Sequence, residues 1–193
     1  MANEKIEIEK AKAHPDCAAV LLDEVGAERF NTNLLAERAG LGVRAIYRYF
    51  PNKLAILVAL AERARELERA WVGDLSAPAQ PWREAVGHAI DGYFSAASGH
   101  RGLVALRAAM QAMPELRAID EAASRDLQRD LEAGLRATGA QVEPARLHAL
   151  SQTVIECANR MLDIALVSPP AHAALLLDEL KRLIVKLLED ELD

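Results

Sequence analysis

Apolar residues recur along this chain at spacings of three and four, the period of a helix face, and not at the spacing of two that marks a strand. Pro15 suits the first turn of a helix, where its missing N–H costs nothing, so the first helix is expected to start near His14. Ala18, Leu21, Leu22 and Val25 form its apolar stripe and Gly26 stops it. Asn31 is a natural N-cap for a second helix, Thr32 to Ala39, closed by Gly40. Gly42 stands where a third helix opens, Val43 to Tyr49. Pro51-Asn52 breaks it, and Lys53 enters a long fourth helix reaching about Asp74. Ser76 to Pro81, SAPAQP, reads as a linker. Five more helices are expected at Trp82–Ser98, Arg101–Met113, Glu115–Thr138, Pro144–Val167 and Ala171–Leu192, with Gly99, Pro114, Gly139 and Pro169-Pro170 as punctuation. The last carries a stripe of Leu176, Leu180, Leu183 and Leu187, with Leu177, Ile184 and Leu188 beside it. Lys181, Arg182, Glu189 and Asp190 take the other side. The expected fold is all-α with about nine helices. A three-helix domain over residues 1–58 is followed by a larger helical domain over 59–193.

Composition agrees with a helical chain. Hydrophobic residues make up 51% and aromatics only 4%, with little strand vocabulary. The five histidines, His14, His88, His100, His148 and His172, are scattered, without metal-ligand spacing. Cys17 and Cys157 each fall beside small apolar residues and read as reduced, buried thiols of a cytosolic protein. No nucleophile–base pair, close carboxylate pair or glycine-rich phosphate loop stands out. Neither an enzyme nor a cofactor or metal is therefore expected. No apolar run reaches the roughly 18 residues that span a membrane. Met1 to Lys12 alternates acids and lysines and lacks the apolar region of a signal peptide.

Charge singles out one segment. The formal net charge is −6, yet between Arg29 and Lys53 the cations Arg29, Arg38, Arg44, Arg48 and Lys53 face a single acid, Glu37. A phosphate-binding face needs such segregation. Two short helices around a glycine turn, ending in an aromatic–basic run, are the sequence form of a helix-turn-helix DNA reader. Val43, Arg44 and Tyr47 stand at the start of its second helix, where base edges are read. Arg44 either bridges guanine O6 and N7 or meets phosphate alone.

The core Leu35-Ala36-x-x-Ala39-Gly40, the pair Ile46-Tyr47 and the ending Tyr49-Phe50-Pro51-Asn52-Lys53 resemble the DNA-binding domain of TetR/AcrR-type transcriptional regulators. The likeness covers the first third of the chain. It implies that Tyr47 and Arg48 meet the DNA backbone. It further implies that the helix starts at Asn31-Thr32 and at Lys53 clamp phosphates, and that Tyr49 and Phe50 brace the reading helix. Gly42 and Ala45 depart from the family pattern, where hydroxyl side chains are usual, and an acidic arm (Glu4, Glu7, Glu9) replaces a basic one. The likeness also implies a repressor that binds a palindromic double-stranded operator as a homodimer, with a small-molecule inducer in the larger domain. Pocket candidates are Trp82, Tyr93, Phe94, Met110 and Met113 with Arg107 as polar contact, though such residues also serve as plain core. Glu156, Asn159 and Asp163 share a helix face that either anchors a polar ligand group or is merely solvated. The leucine stripe at Leu176, Leu180, Leu183 and Leu187 suits a dimer face. Two alternatives stay open: a regulator switched by a protein partner, and a helical scaffold with a weak DNA-binding domain.

Overall fold

The computed structural model describes residues 2–77 and 81–192, with side chains described for all of these except residues 2–15 and Asp190. Among them are nine helices: α1 (Ala2–Arg29), α2 (Thr32–Ala39), α3 (Val43–Tyr49), α4 (Lys53–Val72), α5 (Trp82–Ser98), α6 (Leu103–Ala112), α7 (Pro114–Ala137), α8 (Pro144–Leu166) and α9 (Pro170–Leu192). The helical arrangement expected from the periodicity is thus observed. The side chains of the acidic arm and residues 78–80 of the SAPAQP stretch lie outside the described residues. α1 starts at Ala2 and not near His14, because the Ala, Glu, Lys and Ile residues ahead of Pro15 continue the helical backbone; its regular path breaks at Gly26.

The chain forms two compact units that do not coincide with a cut after residue 58. Unit 1 holds the chain to Ala64 and also His100–Ile119; unit 2 holds Arg65–Gly99 and Asp120–Asp193. In unit 1, α6 packs along α1. Leu21, Leu22, Phe30, Leu35, Ile46, Ile56, Leu57, Leu60, Leu103, Leu106 and Met110 are buried there. Shape decides this pairing. Gly102 (φ 81°) enters α6 so close to α1 that a β-carbon on it would lie 2.2 Å from the Ala19 carbonyl oxygen. Local periodicity carries no sign of that approach.

In unit 2, α9 packs on α8 and α5. Its buried stripe is Ala173, Leu177, Leu180, Ile184 and Leu188. Leu180 is therefore intramolecular core at 1% exposure, which corrects its assignment to a dimer face. The shift is one of helix phase: the core uses the stripe beside Leu176, Leu183 and Leu187. Leu183, 45% exposed, and Leu175, 63% exposed, remain outside. The α4 segment of this unit is tied to α7 by Arg65–Asp126 and by Arg69–Asp130 at 2.6 Å. Burial pushes the Asp126 carboxyl up, but hydrogen bonds from Arg65 and Arg129 outweigh it and hold the group below its ordinary range.

Candidate functional site

Unit 1 presents one short helix outward. On α3, Ile46 is fully buried and anchors the helix, while Val43, Arg44, Tyr47 and Arg48 share the exposed side. The side chains with reach for a groove thus lie on one face, as the pairs Val43/Tyr47 and Arg44/Arg48 at a spacing of four. α2 is fixed behind it by its ends. Asn31 caps α2, its amide oxygen accepting from the N–H groups of Asn33 and Leu34 at 3.0 Å. Phe30 and Leu35, at the two positions of a hydrophobic staple, are both buried. At the other end Gly40 takes the left-handed conformation, and the Leu41 N–H reaches the Ala36 carbonyl at 2.9 Å.

Thr32 does not face outward. It is 8% exposed, and its hydroxyl donates to the Tyr47 Oη at 3.2 Å. The Thr32 hydroxyl thus positions Tyr47, which is half exposed. Tyr49 also differs from expectation. It does not brace the core but lies 42% exposed beneath the Arg48 guanidinium, which stacks 5.2 Å from its ring centre. That contact orients Arg48.

The five cations counted along Arg29–Lys53 divide once the chain is folded. Arg38 grips the Glu24 carboxylate on α1, one contact measuring 2.7 Å. Those hydrogen bonds, with burial opposing and Arg101 adding a pull at 3.7 Å, hold the Glu24 carboxyl below its ordinary range. Arg29 donates through Nε to the Val25 carbonyl at 3.1 Å. Lys53 donates to the carbonyls of Ala27 and Glu28, the latter at 3.2 Å, and so closes the end of α1. Its ammonium is thereby engaged within the protein. Arg44 is exposed and has no protein partner among the described residues. Asn52, read in the sequence only as a breaker, accepts from the Ala55 N–H at 2.9 Å and caps α4.

Gly42, at the N-cap of α3, makes no side-chain cap bond, and a β-carbon there would meet nothing within 4 Å. Its φ of −69° suits any residue. Gly42→Ser should raise stability by about 0.5–1 kcal/mol, by adding a cap and stiffening the unfolded chain. Chemical denaturation measures it; an unchanged midpoint would show that the hydroxyl finds no N–H.

Unit 2 holds a cavity of about 100 Å³ that is partly open to the surface. Thirteen aliphatic side chains line it, from Val72 and Leu75 through Val86, Ile90, Leu127, Leu131, Val154, Ile155 and Leu162 to Ile184 and Leu188, with Ala89 and Ala158 among them. Glu68, Tyr93 and Asn159 are its polar lining. Of the expected pocket residues, Tyr93 and Asn159 are there. Trp82 and Phe94 are not, and Trp82 instead lies under the Arg83 guanidinium, 4.3 Å from its ring centre. Glu156 is exposed and lines a separate polar groove with His148 and Gln152. Arg107, Met110 and Met113 belong to unit 1, where Arg107 and Met110 are buried. Large side chains fill space, whereas a cavity opens where small ones stop short. Ala89 and Ala158 were the better signal.

The family models match both parts of the chain. The model for bacterial regulatory proteins of the tetR family matches residues 16–60, and that for the tetracyclin repressor-like C-terminal domain matches residues 81–188. The chain belongs to the TetR family. It is a DNA-binding transcriptional regulator of that family, with the helix-turn-helix of α2 and α3 in its N-terminal part. A TetR-family transcriptional regulator from Streptomyces coelicolor superimposes with a TM-score of 0.70 at 23% identity, covering 97% of this chain and 99% of that one. A transcriptional regulator from Rhodococcus sp. Rha1 gives 0.78 at 17% identity, over 94% and 97%. SmeT in its triclosan complex gives 0.71 at 22% identity, over 94% and 91%. At these identities the likeness concerns fold alone. No curated protein sequence matches. Among the described residues, no helix of this TetR-family regulator is long and apolar enough to cross a membrane.

Proposed function

We propose that the protein is a repressor that binds a palindromic operator as a homodimer and is released by a small molecule held in the unit 2 cavity. The observation carrying the DNA part is the shared exposed face of Val43, Arg44, Tyr47 and Arg48 on α3. Two copies of α3 would enter successive major grooves about 34–36 Å apart. Arg44 reads a base edge, preferably guanine, because its guanidinium is exposed at the first turn of the helix. Arg48, oriented by Tyr49, meets phosphate with Tyr47. The α2 start at Asn31 adds backbone N–H groups. Lys53 serves phosphate only by leaving the α1 carbonyls. The dimer face is Leu176, Leu183 and Leu187 on α9. The triclosan complex of SmeT supports the inducer part, as does a TetR from Acinetobacter baumannii AYE bound to minocycline. A ligand releases DNA only if it binds the two states with different affinity.

A mobility-shift assay against genomic fragments, with and without excess non-specific DNA, tests the whole reading; no fragment retained above competitor would sink it. Two substitutions test the parts. Arg44→Ala should cost about 1–3 kcal/mol on the operator and relax preference at one base pair per half-site. Equal loss on every sequence would make Arg44 a phosphate contact. Arg48→Ala should weaken binding to any DNA and flatten the slope of log affinity against log salt by roughly one per contact. Lys53→Ala should do the same while also lowering the melting temperature, since α1 loses its closing donor. Slopes unchanged in both variants would remove these residues from the footprint.

A further inference from the structure

We propose that the unit 2 cavity takes an amphiphilic amine, an aliphatic body whose ammonium or amine head sits on Glu68 and Tyr93. The proposal rests on reading this cavity as the ligand site. The lining separates sharply into an aliphatic wall and a short polar end. Thirteen of the sixteen lining residues are Ala, Val, Leu or Ile, and Tyr93 is the one aromatic ring among them. An aliphatic wall favours a flexible hydrocarbon body over a stacked aromatic one.

The polar end is built from acceptors. Tyr93 donates its hydroxyl proton to the Glu68 Oε1 at 3.2 Å, so towards a ligand that hydroxyl offers lone pairs. A carboxylate has about four lone-pair positions and can accept from a ligand as well as from Tyr93. Asn159 gives one amide hydrogen to the Ser124 Oγ at 2.9 Å; its amide oxygen is a third acceptor, against the single donor its second amide hydrogen keeps. Groups that accept select a head that donates. Tyr93 is itself held from behind, its ring meeting Trp71 edge-on at 6.0 Å, so the acceptor pair is fixed in place before a ligand arrives.

Charge sharpens the choice. Among the described residues, no Lys, Arg or His lines the cavity. Of the three guanidinium groups on the same helix as Glu68, Arg63 pairs with Asp16, Arg65 with Asp126 and Arg69 with Asp130. A carboxylate ligand of the same length would therefore set its anion beside Glu68 with no lining cation, in surroundings of low dielectric where like charges repel strongly. An alcohol could hydrogen-bond but gain no charge assistance. The expected order is amine, then alcohol, then carboxylate.

Octylamine, octanol and octanoate are probes of one chain length and three head groups. Calorimetric titration of the full chain should rank them in that order. Octylamine should bind at least about tenfold tighter than octanol, the worth of one charge-assisted hydrogen bond, and octanoate weakest. Glu68→Gln keeps the acceptor for Tyr93 and removes the charge, so it should bring octylamine to the level of octanol. Ala158→Phe fills the cavity and should abolish binding of all three. Octanoate binding as tightly as octylamine, or an amine preference that survives Glu68→Gln, overturns the ligand class and leaves the cavity standing as a site. Failure of all three probes on the wild type overturns the cavity reading together with the class. The wild-type ranking needs no variant, so it decides the class even where a substitution unfolds the chain.

Discussion

Gly102→Ala should lower the melting temperature of this protein by roughly 6–12 °C, the equivalent of about 3 kcal/mol. Two costs add. At φ 81° an L side chain is strained. The new methyl would also lie 2.2 Å from the Ala19 carbonyl oxygen and 2.8 Å from its carbonyl carbon. Both atoms are backbone of α1, so no rotamer change relieves the overlap; α6 must leave α1 or the turn must deform. Gly139→Ala supplies the control. Its φ of 95° carries similar strain, but a β-carbon there meets nothing within 4 Å. It should cost only about 1–2 kcal/mol. Thermal melting of the two variants side by side separates conformational strain from the close approach. Equal losses would show that α6 yields without cost and that the α1 contact does not organise unit 1.

Leu183→Glu should turn the protein into a folded monomer, whereas Leu180→Glu should unfold unit 2. The two side chains are three residues apart on α9, yet one is 45% exposed and the other 1%. A carboxylate at position 180 would be buried without a partner, at a cost of several kcal/mol. At position 183 it meets water in a monomer and meets its own copy across a two-fold interface, so one substitution strikes that interface twice. A monomer engages one half-site alone and loses the gain from simultaneous engagement, about 10²–10⁴ in operator affinity. Half-site affinity should change little. Sedimentation velocity with circular dichroism reads both variants. Wild-type protein sedimenting as a monomer at micromolar concentration would refute the dimer, and a Leu183→Glu chain that stays dimeric would move its interface elsewhere.

What the sequence makes legible depends on how local the cause is. α2, α3 and α5 end where their caps and breakers stand, because Asn31, Gly40, Pro51 and Gly99 act on neighbours within a turn. The exposed face of α3 follows from the same local period. The assignment of His100–Ile119 to unit 1 follows from one close approach at Gly102, which no periodicity encodes. Nor does a count of cations say where each will be spent. Arg38 goes to Glu24 on another helix, and Lys53 goes to carbonyls more than twenty positions back in the chain. Leu180 is core and not part of the outer stripe for a related reason. α9 is apolar over more than one face, and which leucines turn inward is decided by α5 and α8. The cavity escaped because its wall is mostly Val, Leu and Ile, which read as ordinary core, with Ala89 and Ala158 among them leaving volume unfilled.

The discontinuity of unit 1 has a consequence for synthesis. Its buried set includes Leu103, Leu106 and Met110, residues that follow Ala64 by a long excursion through unit 2. A chain leaving the ribosome therefore presents the helix-turn-helix before the helix that covers α1 exists. At bacterial elongation rates the interval lasts roughly a few seconds, long against the time in which short helices form. Leu22 and Leu60, which lie beside Leu103 and Leu106, wait meanwhile without that helix, an opening for a chaperone or a neighbouring nascent chain. Grafting this DNA reader onto another regulator meets the same gap. A donor fragment cut at Ala64 carries the reading helix without α6, so the recipient must supply a helix whose first residue can lie against Ala19 as closely as glycine does.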